Sequence, residues 1–195
     1  NQPLQNDALF SVSETTPSPK DIFRTLSAPL DAQVEVTTLC NEACTHCYNF
    51  WRGEQANFYQ KTLQKNQLSH TIDELIKNQV FRVTFTGGEP FLFRSIVIDG
   101  IRQAQEGGLD CSLNSNLTIM TPITANHLKE IGLHSVLTSL HSFDERKHDA
   151  ITHKKESFKK TVRGIKVCQE AGLNVAVNMV VTKMNQDQVL ETGKF

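Results

Sequence analysis

From residue 33 onward, short Val-rich segments alternate with longer amphipathic ones, and this rhythm limits the fold more than any other feature. Strand signals fall at 33–38, 81–86, 111–114, 135–140 and 174–181. Helical spacing falls at 68–78, 96–104 and 158–171, and a further helix begins at 186–191. Another helix is opened by Thr121-Pro122 and runs through Ile131. In the first helix Ser69 is the expected N-cap, with Ile72, Leu75 and Ile76 on one face. Gly107-Gly108, Gly132 and Gly172 stand where helices end. Strands that alternate with helices of this length predict a parallel sheet, five βα units long. The Val-rich strands read as buried on both faces. At this level a parallel barrel and an open doubly wound sheet look alike, and both place ligands at the C-terminal ends of their strands.

Residues 1–30 are rich in Ser, Thr, Pro, Gln and Asn and read as a polar lead-in, with one short helix at 21–26. Residues 31–195 form the core domain. The chain begins at Asn1 rather than Met and stops just after a helix begins, so a longer protein is expected, with a C-terminal part beyond Phe195. No apolar run approaches the roughly 18 residues of a spanning helix, and no secretory signal opens the chain. The expectation is a cytoplasmic protein with no membrane partner. Net charge is −1, from Lys+Arg 20 against Asp+Glu 21, which gives no electrostatic support for binding nucleic acid. One local run is basic: Arg146, Lys147 and His148, then His153, Lys154 and Lys155. It reads as a solvated loop and helix start, or as a contact for an acidic substrate.

Of the five cysteines, Cys40, Cys44 and Cys47 are spaced C-x3-C-x2-C directly after the first strand. An odd count and tight clustering argue against a disulfide framework. Three thiolates on one loop can wrap a metal centre and leave one position open, as a catalytic site requires. A structural zinc site would need a fourth ligand, such as His46; zinc pairs usually recur as two halves, and no second half is present. Cys111 and Cys168 stand alone and read as small buried hydrophobes. After the second strand comes Thr86-Gly87-Gly88-Glu89-Pro90, whose glycines allow close backbone approach and whose Glu89 offers acceptors for an amine.

These two motifs, in this order on these elements, resemble the radical S-adenosylmethionine (radical SAM) superfamily. The style is closest to its SPASM-type peptide- and protein-modifying members. The resemblance implies that Cys40, Cys44 and Cys47 hold a [4Fe–4S] cluster and that S-adenosyl-L-methionine completes it. It implies that Gly87, Gly88 and Glu89 hold the methionine amino group. His46 takes the place usually filled by an aromatic residue near the adenine, followed by Tyr48. Ser115-Asn116-Leu117-Thr118 resembles a Thr-Asn-Gly-Thr segment, with Leu117 replacing Gly, and Asn116 is expected on the carboxylate or ribose. Ser139 corresponds to a cofactor-contacting serine, while His141 stands where Asp is usual. His148-Asp149 matches a segment common in peptide-modifying members. An Arg that some of them carry near Thr152 is absent, with Lys154 or Lys155 as stand-ins. Asn178, amid Val and Met, reads as a buried polar residue, either facing ribose or carboxylate or serving as a structural amide.

The implied fold is a parallel partial (β/α)6-type barrel, truncated after about five units. The implied activity is reductive cleavage of S-adenosylmethionine, giving a 5′-deoxyadenosyl radical that takes hydrogen from a peptide or protein. The alternatives are a cofactor-biosynthesis or small-molecule enzyme of the same class, and a non-catalytic zinc-binding domain. The implied partner is an electron donor such as flavodoxin or ferredoxin. No catalytic acid or base can be named from the sequence.

Overall fold

A computed structural model describes residues 28–48 and 61–195. The short helix expected at 21–26 lies outside the described residues. Five parallel strands form one sheet in sequence order: β1 (Asp31–Thr37), β2 (Arg82–Gly87), β3 (Asp110–Asn114), β4 (Ser135–Ser139) and β5 (Asn174–Asn178). Helices α1 (Lys65–Lys77), α2 (Arg94–Glu106), α3 (Pro122–Glu130), α4 (Glu145–Thr152) and α5 (Ser157–Glu170) connect them, and α6 (Val189–Lys194) follows β5. Sequential order with every pair parallel is the arrangement of an α/β barrel wall rather than of a doubly wound sheet.

The strands are not buried alike on both faces. Val34, Val36, Val83, Phe85, Cys111, Leu113 and Val136 alternate onto one face and join Leu68, Ile72, Val97, Ile101, Leu128 and Cys168 of the helices in a single core. Cys111 and Cys168 are fully buried there, as small hydrophobes should be. The opposite face is largely polar. Thr84 Oγ1 lies 3.2 Å from the Asp31 carboxylate and 3.2 Å from Ser112 Oγ, Arg82 pairs with Asp110 at 2.6 Å, and Asn114 Nδ2 donates to Thr86 Oγ1 at 3.4 Å. Period-two alternation of this kind marks strands with one face on a core and the other on something that is not a core.

Several boundaries differ from expectation. Helix α1 starts a turn early, with Gln64 at the N-cap rather than Ser69, and Gln67 Oε1 accepts from the Gln64 N–H at 2.9 Å. That start brings both Leu68 and Ile72 onto the buried face. Strand β5 ends at Asn178, short of 181, and its residues are mostly exposed because no strand of the described residues pairs with its outer edge. Asn178 is therefore exposed rather than buried. Helix α4 was not expected as a helix. It is short, with Ile151 its only buried large aliphatic side chain, and it is set by Asp144, whose carboxylate caps the N–H groups of Arg146 and Lys147 at 2.7 and 3.4 Å.

Leu117 and Gly164 explain each other. Leu117 has φ +59, a left-handed conformation that favours glycine, yet it is fully buried. Helix α5 crosses it at Gly164, where any Cβ would run into the Leu117 carbonyl and side chain. Gly164→Val should therefore destabilise the fold by about 1–3 kcal/mol. Urea titration reads this, and an unchanged midpoint would show that α5 can move away from the loop.

Candidate active site

All three motif cysteines and the Gly-Gly turn line one cavity of about 360 Å³ at the C-terminal ends of the strands. The first wall is the loop after β1, carrying Cys40, Glu42, Cys44, His46, Cys47 and Tyr48. The second is the turn after β2, with Gly87 and Gly88. The remaining strand ends supply Thr86, Asn114–Asn116, Leu137–Ser139, His141, Asn178 and Val180. Thr86, Asn114, Leu137, Ser139 and Asn178 all belong to the face turned away from the helical core.

Close backbone approach sets the first two walls together. Gly88 N–H donates to the Thr37 carbonyl at 2.6 Å and Glu89 N–H to the Leu39 carbonyl at 2.7 Å. Gly87 has φ +130, and a Cβ there would collide with the Thr37 carbonyl, so glycine is required twice over. The cysteine loop is also held from its far side. Ala43 N–H donates to the Thr152 carbonyl at 3.0 Å and Thr45 N–H to the Ile151 carbonyl at 2.9 Å, so the orphan carbonyls of the last α4 turn anchor the loop.

Glu89 does not line the cavity. It is fully buried behind the wall, and its carboxylate accepts from Phe91 N–H at 3.0 Å, Ser115 Oγ–H at 2.9 Å and Asn116 N–H at 2.8 Å. Burial pushes its pKa up to about 7, against the pull of those three donors. What the turn offers the cavity is glycine backbone, with Glu89 fixing it from behind. Asn116 lines the cavity, yet its amide is engaged. Oδ1 accepts from Thr118 N–H at 3.1 Å in an Asx turn, and Nδ2 donates to Asn41 Oδ1 at 2.7 Å and lies 3.8 Å from Cys40 Sγ. Ser139 and Asn178 are register partners on β4 and β5 and line the cavity side by side. Tyr48 is exposed, and its hydroxyl donates to Glu35 at 2.7 Å. Lys154 and Lys155 are exposed and do not line the cavity, so the structure does not place them as stand-ins for the missing Arg.

A buried row behind the cysteine loop was not foreseen. His46 meets the His141 ring edge-on at 4.4 Å, and His141 stacks on His148 at 5.6 Å. His148 Nδ1 accepts from the His141 backbone N–H at 3.2 Å, so in the neutral ring the proton sits on Nε2, facing Ser157 Oγ at 3.2 Å. Ser157 in turn donates to the Glu42 carboxylate. Burial lowers His141 to about 3 and His148 to about 4, so both are neutral near pH 7. Glu42 is raised, chiefly by burial, and its other oxygen lies 3.7 Å from Cys44 Sγ. Glu42 sits inside the cysteine motif and Ser157 115 residues later, so only the fold brings them together.

The donor set suits a metal cluster with a polar organic ligand. Burial first, then the nearby Glu42, Cys40 and Cys47, push the Cys44 thiol up to about 12. Three thiolates here need a cationic centre to exist together. The side-chain atoms His46 Nδ1, His141 Nδ1 and Thr138 Oγ1 are buried without a partner, and all three residues line the cavity. The lining side chains on the strand face turned from the core, Asn114, Ser139 and Asn178, are what a ligand with hydrogen-bonding groups would meet.

Glu89 generates a pH prediction. Its folded pKa of about 7 exceeds the ordinary 4.5, so the folded state holds the extra proton between those values. Its contribution to stability is full below pH 4.5 and lost as pH rises to about 7. In the cluster-free protein, unfolding free energy should fall across that window, and Glu89→Gln should make the decline shallower. Identical slopes would remove Glu89 as its source.

A profile of the Radical SAM superfamily matches residues 34–195. The chain is 32% identical over 151 residues to the AdoMet-dependent heme synthase of Nitratidesulfovibrio vulgaris, covering 77% of this chain and 40% of that protein. It is 31% identical over 164 residues to a protein of Thermoplasma volcanium named probable GTP 3′,8-cyclase, covering 82% and 48%. The chain thus spans half or less of the length of these relatives. Its backbone superposes on native anSMEcpe with bound AdoMet with a TM-score of 0.73 at 18% identity, over 86% of this chain and 48% of that one. For Streptococcus suis SuiB bound to S-adenosylmethionine the TM-score is 0.70 at 18% identity, over 87% and 36%. At those identities the likeness is one of fold, the parallel α/β partial barrel. The profile runs from the middle of β1 to the last residue, taking in both motifs and every later element, and on that match the chain belongs to the radical SAM superfamily.

Proposed function

We propose that this chain is the catalytic core of a radical SAM enzyme acting on a small, cofactor-type substrate. The observation that carries the enzyme class is the shared cavity, which three thiols on one loop and a Gly-Gly backbone turn line together. Cys40, Cys44 and Cys47 would hold the [4Fe–4S] cluster, leaving the position opposite them for the methionine end of S-adenosylmethionine. Gly87 and Gly88 would receive its amino group through their backbone, and Ser139 and Asn178 its hydroxyl or carboxylate groups. His46 and Tyr48 flank Cys47 and would border the adenine. The chemistry that the cofactor pair supplies when bound is one-electron reductive cleavage of the sulfonium, giving a 5′-deoxyadenosyl radical able to abstract hydrogen. Neutral His141 and the apolar Leu137 and Val180 would limit water at that space.

What supports a small-molecule substrate is the naming of two relatives above 30% identity as a heme synthase and a probable GTP 3′,8-cyclase. The peptide reading rested on motif style, and the structure turns part of that motif inward. His148 is buried against Ser157, and Asp149 accepts from Glu156 N–H at 2.6 Å and Phe158 N–H at 2.9 Å, so the pair braces the α4–α5 corner and lines no part of the cavity. Among the described residues no helix is long and apolar enough to cross a membrane.

Anaerobic reconstitution tests the class. The protein should bind iron and sulfide, and with dithionite it should convert S-adenosylmethionine to 5′-deoxyadenosine. Stoichiometric zinc with no 5′-deoxyadenosine would instead leave a structural metal domain. Cys44→Ala should lose the cluster, because two thiolates cannot hold it, and full iron retention would remove Cys44 as a ligand. Transfer of deuterium into 5′-deoxyadenosine from a labelled purine nucleotide or porphyrin is the expected substrate result. Transfer from labelled peptides alone would restore the peptide reading.

A further inference from the structure

The basic run singled out in the sequence folds into a separate feature. Arg146, Ala150, His153, Lys154 and Lys155 line a second, open cavity of about 570 Å³ around the end of α4, together with Glu145 and Asp149. The two carboxylates are engaged: Glu145 pairs with Lys159 at 2.9 Å, and Asp149 accepts from the Glu156 and Phe158 N–H groups. Arg146, Lys154 and Lys155 are exposed and form no ion pair among the described residues. The neighbouring cations do: Lys147 with Asp187 at 2.7 Å and Lys160 with Glu156 at 3.2 Å. In a chain of net charge −1, this lip is a local excess of positive charge.

Its position relative to the active site narrows what it is for. The basic cavity shares no lining residue with the cysteine cavity. Between them stands the last turn of α4, where Ile151 and Thr152 are buried and their carbonyls hold the Ala43 and Thr45 N–H groups of the cysteine loop. Among the described residues, a molecule seated on the lip is separated from the cysteine cavity by that last turn of α4. Hydrogen abstraction requires a substrate inside that space, in contact with the reacting atoms. An electron requires only proximity, because no nucleus has to cross.

We infer that Arg146, Lys154 and Lys155 form the docking surface for an acidic one-electron carrier protein, which reduces the cluster through the α4 end of the cysteine loop. The inference rests on the cluster reading above. In the step itself one electron leaves the reduced centre of the carrier, which is oxidised by one, and enters the cluster, which is reduced by one; no bond or proton moves. Complementary charge raises the encounter rate of two proteins by about 10-fold to 1,000-fold and is screened by salt.

The test compares the complete, reconstituted protein with a variant carrying Arg146→Glu and Lys155→Glu, Lys154 being left in place because its charge acts on Glu42. An acidic ferredoxin, photoreduced beforehand, is the probe in stopped flow, and photoreduced deazaflavin is the small-molecule control. The variant should accept electrons from ferredoxin at least about 10-fold more slowly at low salt and lose the steep salt dependence. Iron content and the deazaflavin rate should stay unchanged. An unaltered ferredoxin rate overturns the inference, as does an equal fall with deazaflavin, which would mark damage to the loop. Weakened substrate binding with normal ferredoxin reduction would reassign the lip to an acidic substrate. Carbodiimide cross-linking of the same ferredoxin, mapped by mass spectrometry, reads docking even if no cluster assembles. Cross-links at Lys154 and Lys155 are expected, and their absence there overturns the surface whatever becomes of the cluster.

Discussion

The site depends on one close approach of main chain to main chain, between the Thr37 carbonyl at the end of β1 and the Gly87-Gly88 turn at the end of β2. The 2.6 Å bond from Gly88 N–H to Thr37 and the absence of a Cβ at Gly87 bring the two strand ends together. The next bond, Glu89 N–H to the Leu39 carbonyl, fixes the residue immediately before Cys40. With Glu89 so placed, its buried carboxylate reaches the loop after β3 and ties down Ser115 and Asn116. Asn116 then reaches back to Asn41 and Cys40. Three consecutive strand ends are thus closed into a ring of hydrogen bonds, with the cysteine loop inside it.

The same ring explains the unequal faces of the sheet. An ordinary α/β barrel fills its interior with layers of apolar side chains. Here the face turned from the helices carries Thr84, Thr86, Ser112, Asn114, Ser139 and Asn178, which bond to one another or border the cavity. Stability comes from the helical side, where Val83, Phe85, Leu113, Ile72 and Ile101 are fully buried. Separating the two tasks leaves the polar face free to be shaped by what it binds.

Much of this was legible in the sequence. The strand–helix rhythm, the glycines at helix ends and the two motifs are local, and local signals survive folding. The lining of the cavity includes Cys40, Cys44, Cys47, His46, Tyr48, Gly87, Gly88, Asn116, Ser139 and Asn178. The departures lie where tertiary context decides. Glu89 reads as a ligand group because a carboxylate in a glycine turn is ordinarily exposed; only the packing of Phe91 and Ser115 around it makes it a brace. Asn178 reads as buried because Val flanks it, but an edge strand buries less than a central one. The His148–Ser157–Glu42 line had no local signal, since its partners are 9 and 115 residues apart.

Electrostatics supplies a reason for the departure at position 141. Around the cavity this chain already places three thiols, Glu42 beside Cys44, and Glu89 one layer behind. The only charge partner that relieves Glu42 among its neighbours is the exposed Lys154. An aspartate at 141 would be a further buried carboxylate, at 2% exposure, packed between the rings of His46 and His148. Both rings are held toward their neutral forms by burial, so neither would compensate it. A neutral histidine keeps a hydrogen-bonding nitrogen in that space and adds no charge. Its ring also stacks on His148, whose Nδ1 is held by the His141 backbone N–H while Nε2 faces Ser157. Position 141 therefore belongs with Ser157 and Glu42 in one arrangement, its backbone N–H and its ring both set against His148, which faces the Ser157 that donates to Glu42.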